Sequence, residues 1–216
     1  VSELKAISEV LNFSLDEIMA QEFNLEIQSL ESNFQGGKLE VRISVPEINL
    51  LKFQNLVLYI LEKCGGKPNI GETVLNKLLY FSDFNYYELY EEHLSGAIYR
   101  RLPNGPVPLK VDVILKNMID EKQLKPFKTK YFGYLQNRYM PLVNANLKLF
   151  NGAEIDTIDK VIDLLSDMSA SEISRYSHED MPWKASNDMD IIDYELVFYR
   201  QAPYSVRTYN DPEGND

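Results

Sequence analysis

Between Leu50 and Lys63 the chain is strongly apolar, with Leu51, Phe53, Leu56, Val57, Tyr59 and Ile60, and the run predicts a buried helix stopped at Gly65–Gly66. A second helix is predicted over 70–92, where Leu75, Leu78, Leu79, Tyr86 and Leu89/Tyr90 follow a period near 3.6. The pattern breaks at Ser95–Gly96. Ala97–Ile98–Tyr99 then reads as a short extended run, followed by Arg100–Arg101 and by Asn104–Gly105–Pro106–Val107–Pro108. That last segment predicts a stiff turn, because Gly105 can take φ > 0 and each proline fixes its own φ and pushes the residue before it away from α. Pro108 is expected in the first turn of the next helix, Leu109–Leu124, which Lys125–Pro126 would end. Thr129–Leu135 and Arg138–Val143, joined around Gln136–Asn137, predict a tyrosine-rich hairpin. Ile155, Ile158, Val161, Ile162 and Leu165 place a helix over Glu154–Leu165, and Ser169-x-x-Glu172 is a capping box that opens another, running through Tyr176. A last helical segment is expected at Ile191–Arg200, and the polar tail after Arg207 should fray.

Upstream, Leu4, Ile7, Val10 and Leu11 share one face of a short amphipathic helix, and Ser14-x-x-Glu17 is a capping box for a second helix with Leu15, Ile18 and Met19 inward. Residues 21–48 read as a linker broken at Gly36–Gly37; within it Lys38–Val45 alternates polar and apolar with period two, as a strand ended by Pro46 would. The expected organisation is therefore a short helical piece at 1–20, a linker at 21–48, a main domain at 49–207 and a tail at 208–216. The fold class is α+β, mainly α: about six helices with a small β-hairpin.

The 216 residues can bury a sizeable core. The formal charge of −11 argues against coating a phosphate backbone and favours a basic protein partner. With a single cysteine, Cys64, no intrachain disulfide can form, which fits a cytoplasmic home; no signal peptide or membrane-length apolar run occurs. The chain starts with Val1 inside a predicted helix, so an upstream segment is expected.

Around the predicted loop, tyrosines and arginines gather on either side of a proline-stiffened turn. Such a loop loses little entropy on docking, and Tyr and Arg dominate interface hot spots. Tyr80, Asp83, Tyr87, Tyr99, Arg100, Arg101, Asn104 and Pro106 are therefore the candidate partner contacts, the competing reading being half-buried core tyrosines and solvated arginines. Gly105, Pro108, His178, Pro182 and Trp183 are expected to be structural, with His178 capping or packing beneath Trp183 and Pro182 ending a helix. His178–Glu179–Asp180 has no second Cys or His nearby and no HExxH spacing, so no metal site is predicted. Cys64 reads as a small core residue. No Gly-x-Ser-x-Gly or phosphate loop occurs, and carboxylates are too abundant for any pair to be informative. No catalytic residue, cofactor or enzyme activity is predicted.

Lys77–Leu78–Leu79–Tyr80–Phe81 with Asp83, the Gly96-x-x-Tyr99 step, Asn104–Gly105–Pro106–Val107–Pro108, and later Ser177–His178–Glu179 with Pro182–Trp183–Lys184 resemble, in order and spacing, the Panacea (SocA-like) antitoxin domain over about residues 50–200. The resemblance implies an antitoxin of a bacterial or phage toxin–antitoxin pair that neutralises its toxin by direct binding. Residues 4–20, LKAISEVLNFSLDEIMA, resemble the end of the helix-turn-helix DNA-binding domain of lambda-repressor-like regulators. That second resemblance implies the alternative role, a DNA-binding autoregulator whose DNA-reading part lies upstream. The expected partner is the toxin, with DNA reached only through that upstream part; no membrane is implied, and a homo-oligomer is left open.

Overall fold

The second predicted helix forms the axis of the fold. In the computed structural model, which describes residues 46–208, the α-helices are α1 (Leu50–Cys64), α2 (Glu72–Tyr90), α3 (Val111–Asp120), α4 (Gly152–Leu165), α5 (Ala170–His178) and α6 (Met181–Ala185). Two antiparallel hairpins, β1 (Tyr99–Leu102) with β2 (Gly105–Pro108) and β3 (Leu124–Tyr131) with β4 (Tyr134–Pro141), complete a mainly α, α+β architecture. Short 3₁₀ turns occupy Leu147–Leu149 and Tyr194–Tyr199. The expected N-terminal helices and the Lys38–Val45 strand lie outside the described residues.

Every residue of α2 from Val74 to Glu88 is buried. The apolar stripe accounts for one face; the others are enclosed because α1, α4, α5, β2 and the 3₁₀ segment 194–199 all pack on this helix. Its aromatic side carries the densest packing. Tyr80 and Phe84 lie 4.3 Å apart, Phe84 stacks on Tyr194 at 4.1 Å, and Tyr99 meets Tyr80 edge-on at 5.5 Å. Each such side chain taken out of water contributes about 1.5–3 kcal/mol.

A helix enclosed on every side must satisfy its polar residues internally. Asp83 accepts from the Ser95 amide (2.8 Å), the Ser95 hydroxyl (2.8 Å) and the Tyr99 hydroxyl (2.6 Å). Arg200 donates to Asp180, Asn85 and Glu88, and Glu88 also accepts from Ser205 and Val206. Buried α2 is thus tied to β1, to the residue before α6 and to the C-terminal strap.

Of the two expected capping boxes, Ser14–Glu17 lies outside the described residues. Ser169 and Glu172 form the expected box at α5, and Asn151 with Glu154 forms a second one at α4. Cys64 is buried at the end of α1, where its thiol donates to the Ile60 carbonyl and burial raises its pKa to about 11. That is a structural thiol.

The extended elements differ from expectation. Gly105–Pro108 is itself a strand paired to Tyr99–Leu102, and Pro108 ends it instead of opening a helix. Prolines are tolerated there because β2 pairs with β1 alone. Helix α3 stops at Asp120, Lys122 turns with φ of 59°, and Lys125–Pro126 falls within β3. The second hairpin turns at Phe132–Gly133, with φ of 46° and 86°, so Gln136 and Asn137 lie in the strand, opposite Thr129 and Lys128. Two successive positive φ values are what a tight two-residue hairpin needs to match strand twist. Pro182 sits at the start of α6, not at the end of α5.

Candidate functional site

Of the residues expected to face a partner, Tyr80, Asp83 and Tyr99 are fully buried, and Tyr87 (2 % exposed) and Pro106 are also buried. These expectations are corrected: the tyrosine hydroxyls are used internally, on Asp180, Asp83 and Glu195. Burial raises the Asp83 carboxyl to about 6, even though hydrogen bonds from Tyr99 and Ser95 favour its ionised form. Tyr80 and Tyr99 are held well above the ordinary tyrosine pKa, first by burial and then by the neighbouring carboxylates. Asn104 remains exposed at the turn of β1–β2, and Arg100 and Arg101 are half-buried.

Arg101 is committed within the fold. Its guanidinium carbon lies 4.0 Å from the Trp183 ring centroid, it donates to the Ser186 carbonyl, and Asp188 stands 3.4 Å from its Nε. On the other side Trp183 stacks nearly parallel on His178 at 4.1 Å. The result is a column of guanidinium, indole and imidazole joining β1, α6 and α5.

Beside this column, where β2 crosses α2, lies Lys77, 1 % exposed. Gly105, with φ of 99°, allows the close approach: a Cβ there would stand 2.7 Å from Lys77 Cε and 2.4 Å from Ser177 Oγ. Burial lowers the Lys77 amine to about 7. His178 is also pushed below its ordinary value, by burial first and then by Lys77 and Arg101.

A different surface stands out at the N-terminal end of α2. Phe132, Tyr134 and Leu135, at the tip of β3–β4, are 83 %, 81 % and 63 % exposed. Beneath the tip is a groove of about 880 Å³, walled by the hairpin and the first turns of α2 and α5. Buried Asn76 lines it, and its Oδ1 has no hydrogen-bond partner among the described residues. Arg138 anchors the hairpin: it is buried, lies 5.1 Å from the Phe127 ring, and donates to the carbonyls of Ile70 (3.2 Å), Gly65 (2.8 Å) and Lys67 (2.8 Å).

The family model for the SocA-like antitoxin, Panacea domain, matches residues 75–184. The chain belongs to this family. The matched span of the Panacea domain runs from α2 through both hairpins to α6, so it contains the Lys77–Trp183 column and the exposed hairpin alike. Neither a curated protein nor a solved structure matches the chain. Among the described residues no helix is long and apolar enough to cross a membrane.

The hairpin surface was missed from sequence although the signal is present. From Lys122 to Ala153 the chain has six basic residues and no acidic one, in a protein of net charge −11. That run folds mainly into β3–β4 and its flanks, which makes this the locally basic part of an acidic protein.

Proposed function

We propose that this Panacea domain is an antitoxin that neutralises a cognate toxin by holding it directly, with the tip of β3–β4 as the principal grip. The observation that carries this reading is Phe132. A bulky aromatic is 83 % exposed and held at φ of 46°, at a turn position where Asn or Gly would sit without strain. Exposure and strain both cost stability in the free domain, and a partner that covers the ring offsets the first. Tyr134 and Leu135 extend the apolar tip, and Lys128 and Lys130 flank it, which suits a toxin surface with an apolar pocket and an acidic rim. Asn104 and Arg100 on β1–β2 supply a second edge of contact.

The test is co-expression with the toxin, joined to direct titration of the purified pair. Phe132→Asn together with Leu135→Ser should weaken binding by about 100-fold or more, since each central anchor is worth about 2 kcal/mol. Growth protection should fall accordingly. The fold of the free chain should be kept, because Asn relieves the turn strain. Undiminished protection and unchanged affinity in this double variant would reject the hairpin as the grip.

A further inference from the structure

Lys77, His178 and Trp183 share a feature that toxin binding at the β3–β4 tip does not use. Lys77 is buried with neither an ion pair nor a hydrogen bond among the described residues. His178 Nε2 and Trp183 Nε1 are shielded from water and have no partner among the described residues. Ser177 Oγ also lies close to the space over Gly105, but its one hydrogen is donated to the Ser174 carbonyl, so it brings no donor to the cluster. A buried polar atom without a partner costs free energy, and here an indole N–H and an imidazole nitrogen are both left so, the imidazole within the field of the Lys77 charge.

The charge around them has one sign. Lys77 and Arg101 both act on His178, and each disfavours its protonation. The acids in reach, Glu179 and Asp188, sit in water at the rim, with Asp188 87 % exposed at its side chain. What the cluster lacks is an acceptor carrying negative charge. We propose that Lys77, His178 and Trp183, with the Arg101 charge behind them, form a binding site for an oxyanion, a phosphoryl, sulfate or carboxylate group. Lys77 would supply the charge and its three N–H donors, and Trp183 an indole donor. His178 and Trp183, both only partly buried, make the outer wall of the site. The glycine at 105 fits this assignment, since any side chain there would fill the space against Lys77.

Trp183 is the only tryptophan in the chain, so its emission reports on this site without a label. The full chain is titrated with sulfate, inorganic phosphate and acetate, with chloride balancing ionic strength throughout. A saturable change in Trp183 emission is expected with at least one of the three, weakened tenfold or more in Lys77→Met. Lys77→Gln, which keeps length and polarity, carries the comparison if circular dichroism shows Lys77→Met unfolded. Response to sulfate and phosphate without acetate identifies a tetrahedral oxyanion; response to acetate alone identifies a carboxylate. A wild-type chain that responds to none of them beyond chloride, or a Lys77 variant that responds like wild type, overturns the site.

Discussion

Replacing Arg200 by methionine tests the buried charge cluster on which the C-terminal strap depends. The Arg200 and Asp180 side chains are wholly buried, as is Glu88. Arg200 grips Asp180 with two parallel bonds, Nε to Oδ1 at 2.8 Å and Nη2 to Oδ2 at 2.6 Å; its Nη1 reaches Asn85 at 2.9 Å and Glu88 at 3.0 Å. Burial works against the guanidinium charge, but Asp180 chiefly, with Tyr80 and Glu88, raises its pKa above the ordinary arginine value. Methionine keeps most of the length and apolar volume, so the loss is electrostatic: two carboxylates are stranded in the interior. Removing one partner of a buried pair costs about 3–5 kcal/mol, a large part of a total stability of about 5–15 kcal/mol. With a urea m-value of about 2 kcal/mol/M, the midpoint should fall by roughly 2 M. Most of the deficit should return in Arg200→Met/Asp180→Asn/Glu88→Gln. Urea unfolding followed by Trp183 emission and by far-ultraviolet circular dichroism measures all of this. A single variant within about 1 kcal/mol of wild type at pH 7, or a triple variant no better than the single, would refute the reasoning.

Two further outcomes follow from the crossing of β2 over α2. Lys77→Met should stabilise the chain at pH 6 by on the order of a few kcal/mol, because the amine lies at about 7 in the fold against 10.5 when unfolded. Below pH 7 the native state bears the whole penalty of burying the charge. Between 7 and 10.5 it has shed a proton that the unfolded chain keeps, so the wild type gains with rising pH and the variant's advantage shrinks towards zero; urea midpoints at pH 6 and pH 9.5 check the sign. Gly105→Ala should destabilise by at least about 2 kcal/mol in the same assay, since it combines a positive φ with a Cβ 2.4 Å from Ser177 Oγ.

The helices were legible because their signals are local. An apolar stripe, a Ser-x-x-Glu box and a glycine stop each act within about one turn, and α1, α4 and α5 lie close to where those signals put them. The strands were harder to place, for identifiable reasons. Gly105–Pro106–Val107–Pro108 carries two prolines and reads as a turn, yet β2 pairs with β1 alone and needs only half of its own backbone bonds, and Leu102 pairs with Gly105 across a two-residue turn. Tyr131-Phe-Gly-Tyr134 hid its turn because phenylalanine is a poor choice for a positive φ; the glycine beside it was the signal to weigh. Ile191–Arg200 has helical spacing, but Ile191 bridges to Arg100 and only 194–199 coils, as a 3₁₀ turn.

The same distinction explains the site. Tyrosine near arginine beside a stiff loop describes a hot spot and a core equally well, and only the three-dimensional count of neighbours separates them. Tyr80 and Tyr87 lost their place at the surface because α2 is covered on every side, which a periodic stripe on one face cannot reveal, and Tyr99 because β1 lays its ring on Tyr80 and Phe84. Arg101 went to the indole of Trp183, 82 residues along the chain, for the same non-local reason. Charge, in contrast, was readable and was read too coarsely: a net of −11 hides an acid-free run from Lys122 to Ala153 that places the basic residues next to the most exposed aromatics. An acidic body with a basic, apolar tip carries one surface that contrasts in charge with the rest. The exposed Phe132 and the unpaired Lys77 are thus two stability costs in separate places, each of which a different ligand would offset.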